Sequence, residues 1–241
     1  MPAGAFAFAL GAAFLHALWN VLLARTRDPQ AATAAAFCIA IVLWAPVAAV
    51  RWHVEAAAWK WIAASAAFEL VYMLLLGAAY AAAPLSVFYP IARGFAPVLV
   101  LVVAVAALGA QTSATQALGV CLVGCGILLV RGRRPDRAGT LFGLSIAAMI
   151  AGYTLIDNTG VTYADPIAYL EAVMVVPALL SAGFVLHRQG APALRAAFRP
   201  ETFLIAPLTF APYALTLYAL RLAPAAPVAA VREAISVSSL K

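Results

Sequence analysis

Arg93 lies inside a run from Leu85 to Gly109 that is otherwise almost wholly apolar. A guanidinium in hydrocarbon costs at least about 3 kcal/mol on insertion scales. Ionisable groups at such depth pair with one another or face a wet cavity. Glu69, in the middle of the preceding apolar run, is the natural partner. Arg232, with Glu233 beside it, occupies a matching place near the end of the chain. Either these charges form structural ion pairs between helices, or Arg93 is a cavity-facing cation that meets or gates a solute.

Spacing gathers further side chains around them. Tyr89 and Arg93 are four positions apart and share one helical face, as do His16 and Asn20, and Tyr153 and Asp157. Glu69 and Tyr72 are three apart. His16 suits a hydrogen bond between helices, or proton coupling. Trp19, Tyr153 and Tyr169 fall near the ends of apolar runs, where aromatic rings anchor at the membrane interface. Asp157 and Glu171 flank "VTYADP" and face either headgroup water or the cavity.

This is the chemistry of recognition, not of bond making. There is no HExxH and no GxSxG, and His16, His53 and His187 have no ligand spacing. Ser86 and Ser145 have no base at helical spacing. Cys38, Cys121 and Cys125 sit in apolar runs and read as small packing residues. Gly139 and Gly143 form a small-xxx-small pair that close helix packing explains. Without a P-loop, ATP is not the direct energy source. No cofactor or metal is expected.

The elements that position these residues are membrane helices. Of 241 residues, 66% are hydrophobic and 10% charged, which leaves no solvated surface of normal size. Nothing resembles a cleavable signal peptide, so the first apolar run is expected to stay. Spans are predicted at about 3–24, 31–50, 61–80, 85–109, 116–131, 139–160, 166–186, 201–221 and 226–240. Pro46, Pro90, Pro97, Pro177, Pro207 and Pro212 fall within them and mark bends. The net charge of +6 resides mostly in loop arginines, so it argues for membrane orientation rather than nucleic acid. Arg25, Arg27, Arg131, Arg133, Arg134, Arg137, Arg188, Arg195 and Arg199 fall on one face, against Arg51, Lys60 and Arg221 on the other. The bias puts the odd-numbered loops in the cytoplasm and the N-terminus outside.

The chain also repeats itself. Asn20 and Asn158 are 138 apart, the Asp28-Pro29 and Asp165-Pro166 pairs 137, Tyr72 and Tyr213 141, Pro84 and Pro224 140, Arg93 and Arg232 139. A unit of five spans is odd, so the second copy enters the membrane inverted. Residues 1–135 make the first unit and 136–241 the second, whose last helix is short and whose fifth is missing.

With "LHALWNVLLAR", "APLSVFYPIARG" and "PAAPVAAVRE" in the corresponding spans, the chain resembles the drug/metabolite transporter superfamily in its ten-span EamA-type branch. The resemblance implies an all-α integral membrane basket of two inverted five-helix repeats around a central cavity. It implies a secondary transporter in the plasma (bacterial inner) membrane that exports a small metabolite or drug-like solute. The alternatives are an intramembrane enzyme, a channel or non-transporting subunit, and an inactive, C-terminally truncated transporter. Partners are a small-molecule substrate and the lipid bilayer, with no nucleic acid. A coupling proton and the oligomeric state stay open.

Overall fold

The computed structural model describes residues 1–129 and 137–236. Arg131, Arg133, Arg134 and the terminal residues 237–241, on which the charge bias and the shortened end partly rest, lie outside them. Helices dominate, and the described residues contain no strand, only one isolated bridge. The order is α1 (Ala3–Ala24), α2 (Pro29–Val50), α3 (Trp59–Ala82), α4 (Leu85–Ala106), α5 (Ala114–Leu129), α6 (Arg137–Gly160), α7 (Pro166–Gln189), α8 (Ala191–Ala197), α9 (Pro200–Leu222) and α10 (Ala225–Ser236).

Seven of these are long and apolar enough to cross a membrane. Of the nine predicted spans, two come out shorter. Helix α5 has 16 residues, or about 24 Å at 1.5 Å per residue. Helix α10 has 12 described residues. Helix α8 falls in "HRQGAPALRAAFRP", where the sequence predicts a loop. Gly190 at φ 82 turns the chain out of α7, and Pro192 in the first turn of α8 starts it again.

Local chemistry sets the boundaries twice over. The Asp28 carboxylate accepts from the Gln30 and Ala31 backbone N–H groups at 3.0 Å, with Pro29 opening α2. Asp165 accepts from the Ile167 N–H at 2.9 Å, with Pro166 opening α7. Both are Asx N-caps reinforced by proline. Helices α3 and α9 end at Ala83 (φ −148) and Ala223 (φ −151), each held extended by the proline that follows.

Helix α4 is the central one, with 72% of its best apolar window buried against 17% for α1. It fits because its neighbours present glycine. A Cβ at Gly143 of α6 would stand 2.7 Å from the Ile91 side chain, and one at Gly124 of α5 would stand 2.8 Å from the Gly94 carbonyl. Around it, α1 packs along α9 and α3 along α6. Helix α4 also lies on α6 as α10 lies on α1, and α2 meets α9 as α7 meets α3. Helices α2 and α7 touch each other, as do α4 and α10.

The outward surface carries Val42, Leu43, Val50, Leu118, Leu122 and Leu179, as a lipid-facing surface requires. Cys121 and Cys125 are exposed on α5 as well, so they are not packing residues between helices as predicted.

Candidate functional site

Helices α4 and α10 bring a carboxylate between two guanidinium groups. Arg93 Nη1 donates to Glu233 Oε2 at 3.0 Å and Oε1 at 3.2 Å. Arg232 donates through Nε to Oε1 at 2.9 Å, with Nη2 at 2.8 Å from the same oxygen. Glu233 is 0% exposed, and the two arginines compensate its buried charge. The predicted pairing of Arg93 with Glu69 is therefore corrected. Consecutive helices α3 and α4 barely touch, whereas α10 crosses α4 at the level of Arg93. Arg93 also lies 5.1 Å from the Tyr89 ring centroid and Arg232 5.9 Å from that of Tyr153, both within cation–π range.

A second carboxylate lies behind the first. Asp157 accepts from the Tyr169 hydroxyl at 3.0 Å and from the Tyr213 hydroxyl at 2.6 Å. It is 1% exposed, so it does not face headgroup water. Tyr153 and Tyr169 are also buried, correcting their expected role as interfacial anchors. Position along the helix suggested an interface, but Tyr169 of α7 and Tyr213 of α9 reach the Asp157 carboxylate of α6 there, and α6 itself is packed between α3 and α4. Tyr72, Tyr153 and Tyr213 form a row with ring centroids 6.1 Å apart at each step.

Between these groups is a cavity of about 120 Å³. Its polar wall is His16 and Trp19 from α1, Glu69 and Tyr72 from α3, Arg93 from α4, Tyr153 from α6, Thr209, Tyr213 and Thr216 from α9, and Arg232 from α10. Phe37, Met73, Leu76, Met174 and Pro212 supply apolar surface, with Thr33 in the first turns of α2. Trp19, Thr33 and Leu76 carry the cavity toward the face of the bundle where α1 ends. At His16, Trp19 Nε1 stands 3.1 Å from Nδ1, and Arg93 Nη2 stands 3.0 Å from Nε2.

The opposite face, where α1 begins, carries several ties between the two halves of the chain. Arg51 grips Asp165 Oδ2 through Nη2 at 2.8 Å and Nε at 3.1 Å. Val54 and Ala164 form an antiparallel bridge, with Glu55 N–H donating to the Tyr163 carbonyl at 3.0 Å and Asp165 N–H to that of His53 at 2.8 Å. Asn158 Nδ2 donates to the Leu220 carbonyl at 2.8 Å beside them. Burial raises the Asp165 carboxyl pKa. The Arg51 hydrogen bond and the Ile167 amide lower it more, and the net direction is below the ordinary 3.8. At the other face, Gln189 Nε2 donates to Gln30 Oε1 at 3.0 Å.

No family model matches the chain, and no curated protein matches it. The geometry therefore stands by itself.

Seven of the predicted site residues line the cavity: His16, Glu69, Tyr72, Arg93, Tyr153, Tyr213 and Arg232. Three more act on its wall from behind, namely Tyr89, Asp157 and Glu233. Three do not reach it. Asn20 donates to the His16 carbonyl at 2.8 Å, Asn158 ties α6 to α9, and Glu171 is buried on α7 away from the lining. Sequence reasoning missed the contributions of α2 and the threonines of α9. Thr209 and Thr216 were legible as hydroxyls seven positions apart on one stripe of α9. Thr33, near a span end, carried no such signal.

Proposed function

We propose that the chain is a secondary transporter of the EamA type in the drug/metabolite transporter superfamily. It moves a small solute out across the plasma membrane by alternating access and performs no covalent chemistry. The observation that carries this reading is the central cavity, lined by both halves of the chain, with an arginine from α4 and one from α10 entering it at mid-helix. Residues 1–135 and 136–241 act as the two inverted repeats. Support comes from the paired helix contacts, since α1 on α9 corresponds to α6 on α3, and α4 on α6 to α10 on α1.

The same correspondence supplies a mechanism. An offset of 137 carries Asp28 to Asp165 and Arg51 to Arg188. Arg51 and Asp165 are joined in this structure, whereas no ion pair joins Arg188 to Asp28 at the other face. Alternating access exchanges them: the first pair parts as the second forms, and the cavity changes the face it opens to.

The test is flux. Purified protein in liposomes, loaded with a metabolite panel, should show saturable transport and counterflow for one class of solute, and Arg93→Ala should abolish both. Flux that neither saturates nor shows counterflow would indicate a channel. A solute converted in detergent, without a second compartment, would indicate an enzyme.

A further inference from the structure

One carboxylate on the cavity wall has no counter-charge of its own. Glu69 lines the cavity and is 5% exposed. Among the described residues it joins no ion pair and accepts no hydrogen bond, and its carboxylate opens on the cavity. The Tyr213 hydroxyl borders it too, but the one hydrogen of that hydroxyl goes to Asp157 at 2.6 Å. The two guanidinium groups are engaged elsewhere, since Arg93 and Arg232 both bind Glu233. His16 adds no charge, because both its ring nitrogens face donors, Trp19 Nε1 at 3.1 Å and Arg93 Nη2 at 3.0 Å. Two cations, Arg93 and Arg232, thus stand against three carboxylates, Glu69, Asp157 and Glu233. A buried carboxylate left without a partner is costly, so the cavity has a place for a cation beside Glu69.

The hydroxyls of the wall point the same way. A hydroxyl has one hydrogen and two lone pairs. Thr209 donates to the Ala206 carbonyl and Thr216 to the Pro212 carbonyl, both at 2.8 Å. Thr33 donates to the Pro29 carbonyl at 2.7 Å. With their hydrogens spent on backbone, and that of Tyr213 on Asp157, these oxygens can only accept from a solute. The donors of the wall are already engaged, Trp19 on His16 and the arginines on Glu233. The wall therefore offers acceptors and one negative charge.

We propose that the cavity binds a small solute through a primary ammonium group, held by the Glu69 carboxylate with hydroxyl oxygens of α9 as further acceptors. Three N–H groups on one compact charge match acceptors of this kind. The ring of Tyr72, three positions along α3 from Glu69, adds a cation–π face. The remainder of the solute lies on the apolar surface of Phe37, Met73 and Met174. This names a substrate class for the transport reading above and rests on it only for flux, since binding is measurable without movement.

The experiment compares matched probes on the full chain in detergent at neutral pH. Benzylammonium and butylammonium are titrated against benzyl alcohol and butanol, which have nearly the same shape without the charge, and against benzoate, and the shift in Tm is followed. The amines should raise Tm saturably, and the alcohols and benzoate should not. Glu69→Gln should weaken amine binding by at least roughly tenfold, the worth of one hydrogen bond to a charged group. In wild-type protein the ε-methyl resonance of Met73, four positions from Glu69 on the same helix, should move as benzylammonium is added. That measurement and the comparison of probes stand even if the variant does not fold. Amines and alcohols binding alike, as a proton resident on Glu69 would produce, would overturn the proposal. So would benzoate binding as well as the amine, no amine binding, amine binding unchanged in Glu69→Gln, or a Met73 methyl that stays still. Amine binding without flux in liposomes would leave this site intact and reject the transport reading, whereas saturable flux confined to solutes without an ammonium group would do the reverse.

Discussion

Arg93 Nη1 and Glu233 Oε2 lie 3.0 Å apart across 140 positions of sequence, and both side chains are buried. Removing Glu233 leaves two guanidinium groups facing each other without an anion. Glu233→Gln should therefore cost about 3–5 kcal/mol, while Arg93→Ala, which leaves Arg232 on the carboxylate, should cost less. A double-mutant cycle in detergent unfolding should give a larger coupling for Arg93 with Glu233 than for Arg93 with Glu69. Equal couplings would mean that Glu69 shares the charge after all.

The pairing of Arg51 with Asp165 sets a pH dependence at the face where α1 begins. The folded Asp165 carboxyl titrates below its ordinary 3.8, so the unfolded chain binds its proton first as pH falls. The stabilisation is complete above that ordinary value and is lost as pH falls through the lower folded one. Asp165→Asn should remove this component of the slope between roughly pH 5 and pH 2 in thermal unfolding. The effect should be smaller than that of Glu233→Gln, because Arg51 is 48% exposed at its side chain.

The exchange of ion pairs makes a separate prediction for flux. In a background with Cys38, Cys121 and Cys125 replaced, cross-linking Arg51→Cys to Asp165→Cys should stop transport, and reduction should restore it. Cross-linking Asp28→Cys to Arg188→Cys should also stop transport, and should proceed faster when solute drives cycling. A second cross-link that forms but leaves transport running would refute the exchange.

Tyr213→Phe deletes a 2.6 Å hydrogen bond to the buried Asp157 carboxylate. The cost should be about 1.5–3 kcal/mol in chemical unfolding. Gly143→Leu should cost about as much for another reason, since even its Cβ would stand 2.7 Å from the Ile91 side chain of α4.

Charge depth was legible from the sequence, and charge partnership was not. Arg93, Glu69 and Arg232 stand out because hydrocarbon tolerates few ions, and all three line the cavity. Who pairs with whom depends on which helices cross. Here α3 lies on α6 and α7 and hardly on α4, so Glu69 is near Arg93 in the chain but is not its ion-pair partner. Tyr153, Tyr169 and Asp157 misled for a related reason. Closeness to a helix end signals an interface only if no side chain from another helix reaches it, and here the hydroxyls of Tyr169 and Tyr213 do. The caps at Asp28 and Asp165 were the reverse case. Aspartate followed by proline fixes a helix start by local chemistry alone, and the two fall at equivalent places.

The buried face of α1 is made of methyl groups, and α9 sets alanines beside larger side chains such as Ile205, Phe210 and Leu217. Ala5, Ala9, Ala12 and Ala13 are the fully buried residues of α1, and Ala206, Ala214 and Ala219 are among those of α9, the helix along which α1 lies. An alanine side chain has no rotamer to reset and loses no side-chain entropy when covered. Nor does it wedge deeply between its neighbours as a leucine knob would. On α1 this leaves a low-relief surface over which α9 lays its own larger side chains, with Leu215 above Gly11 and Leu222 above Gly4, so resistance to sliding of this pair comes from α9. Among the described residues, polar ties at the two rims and the charged trio at the hub add to that resistance.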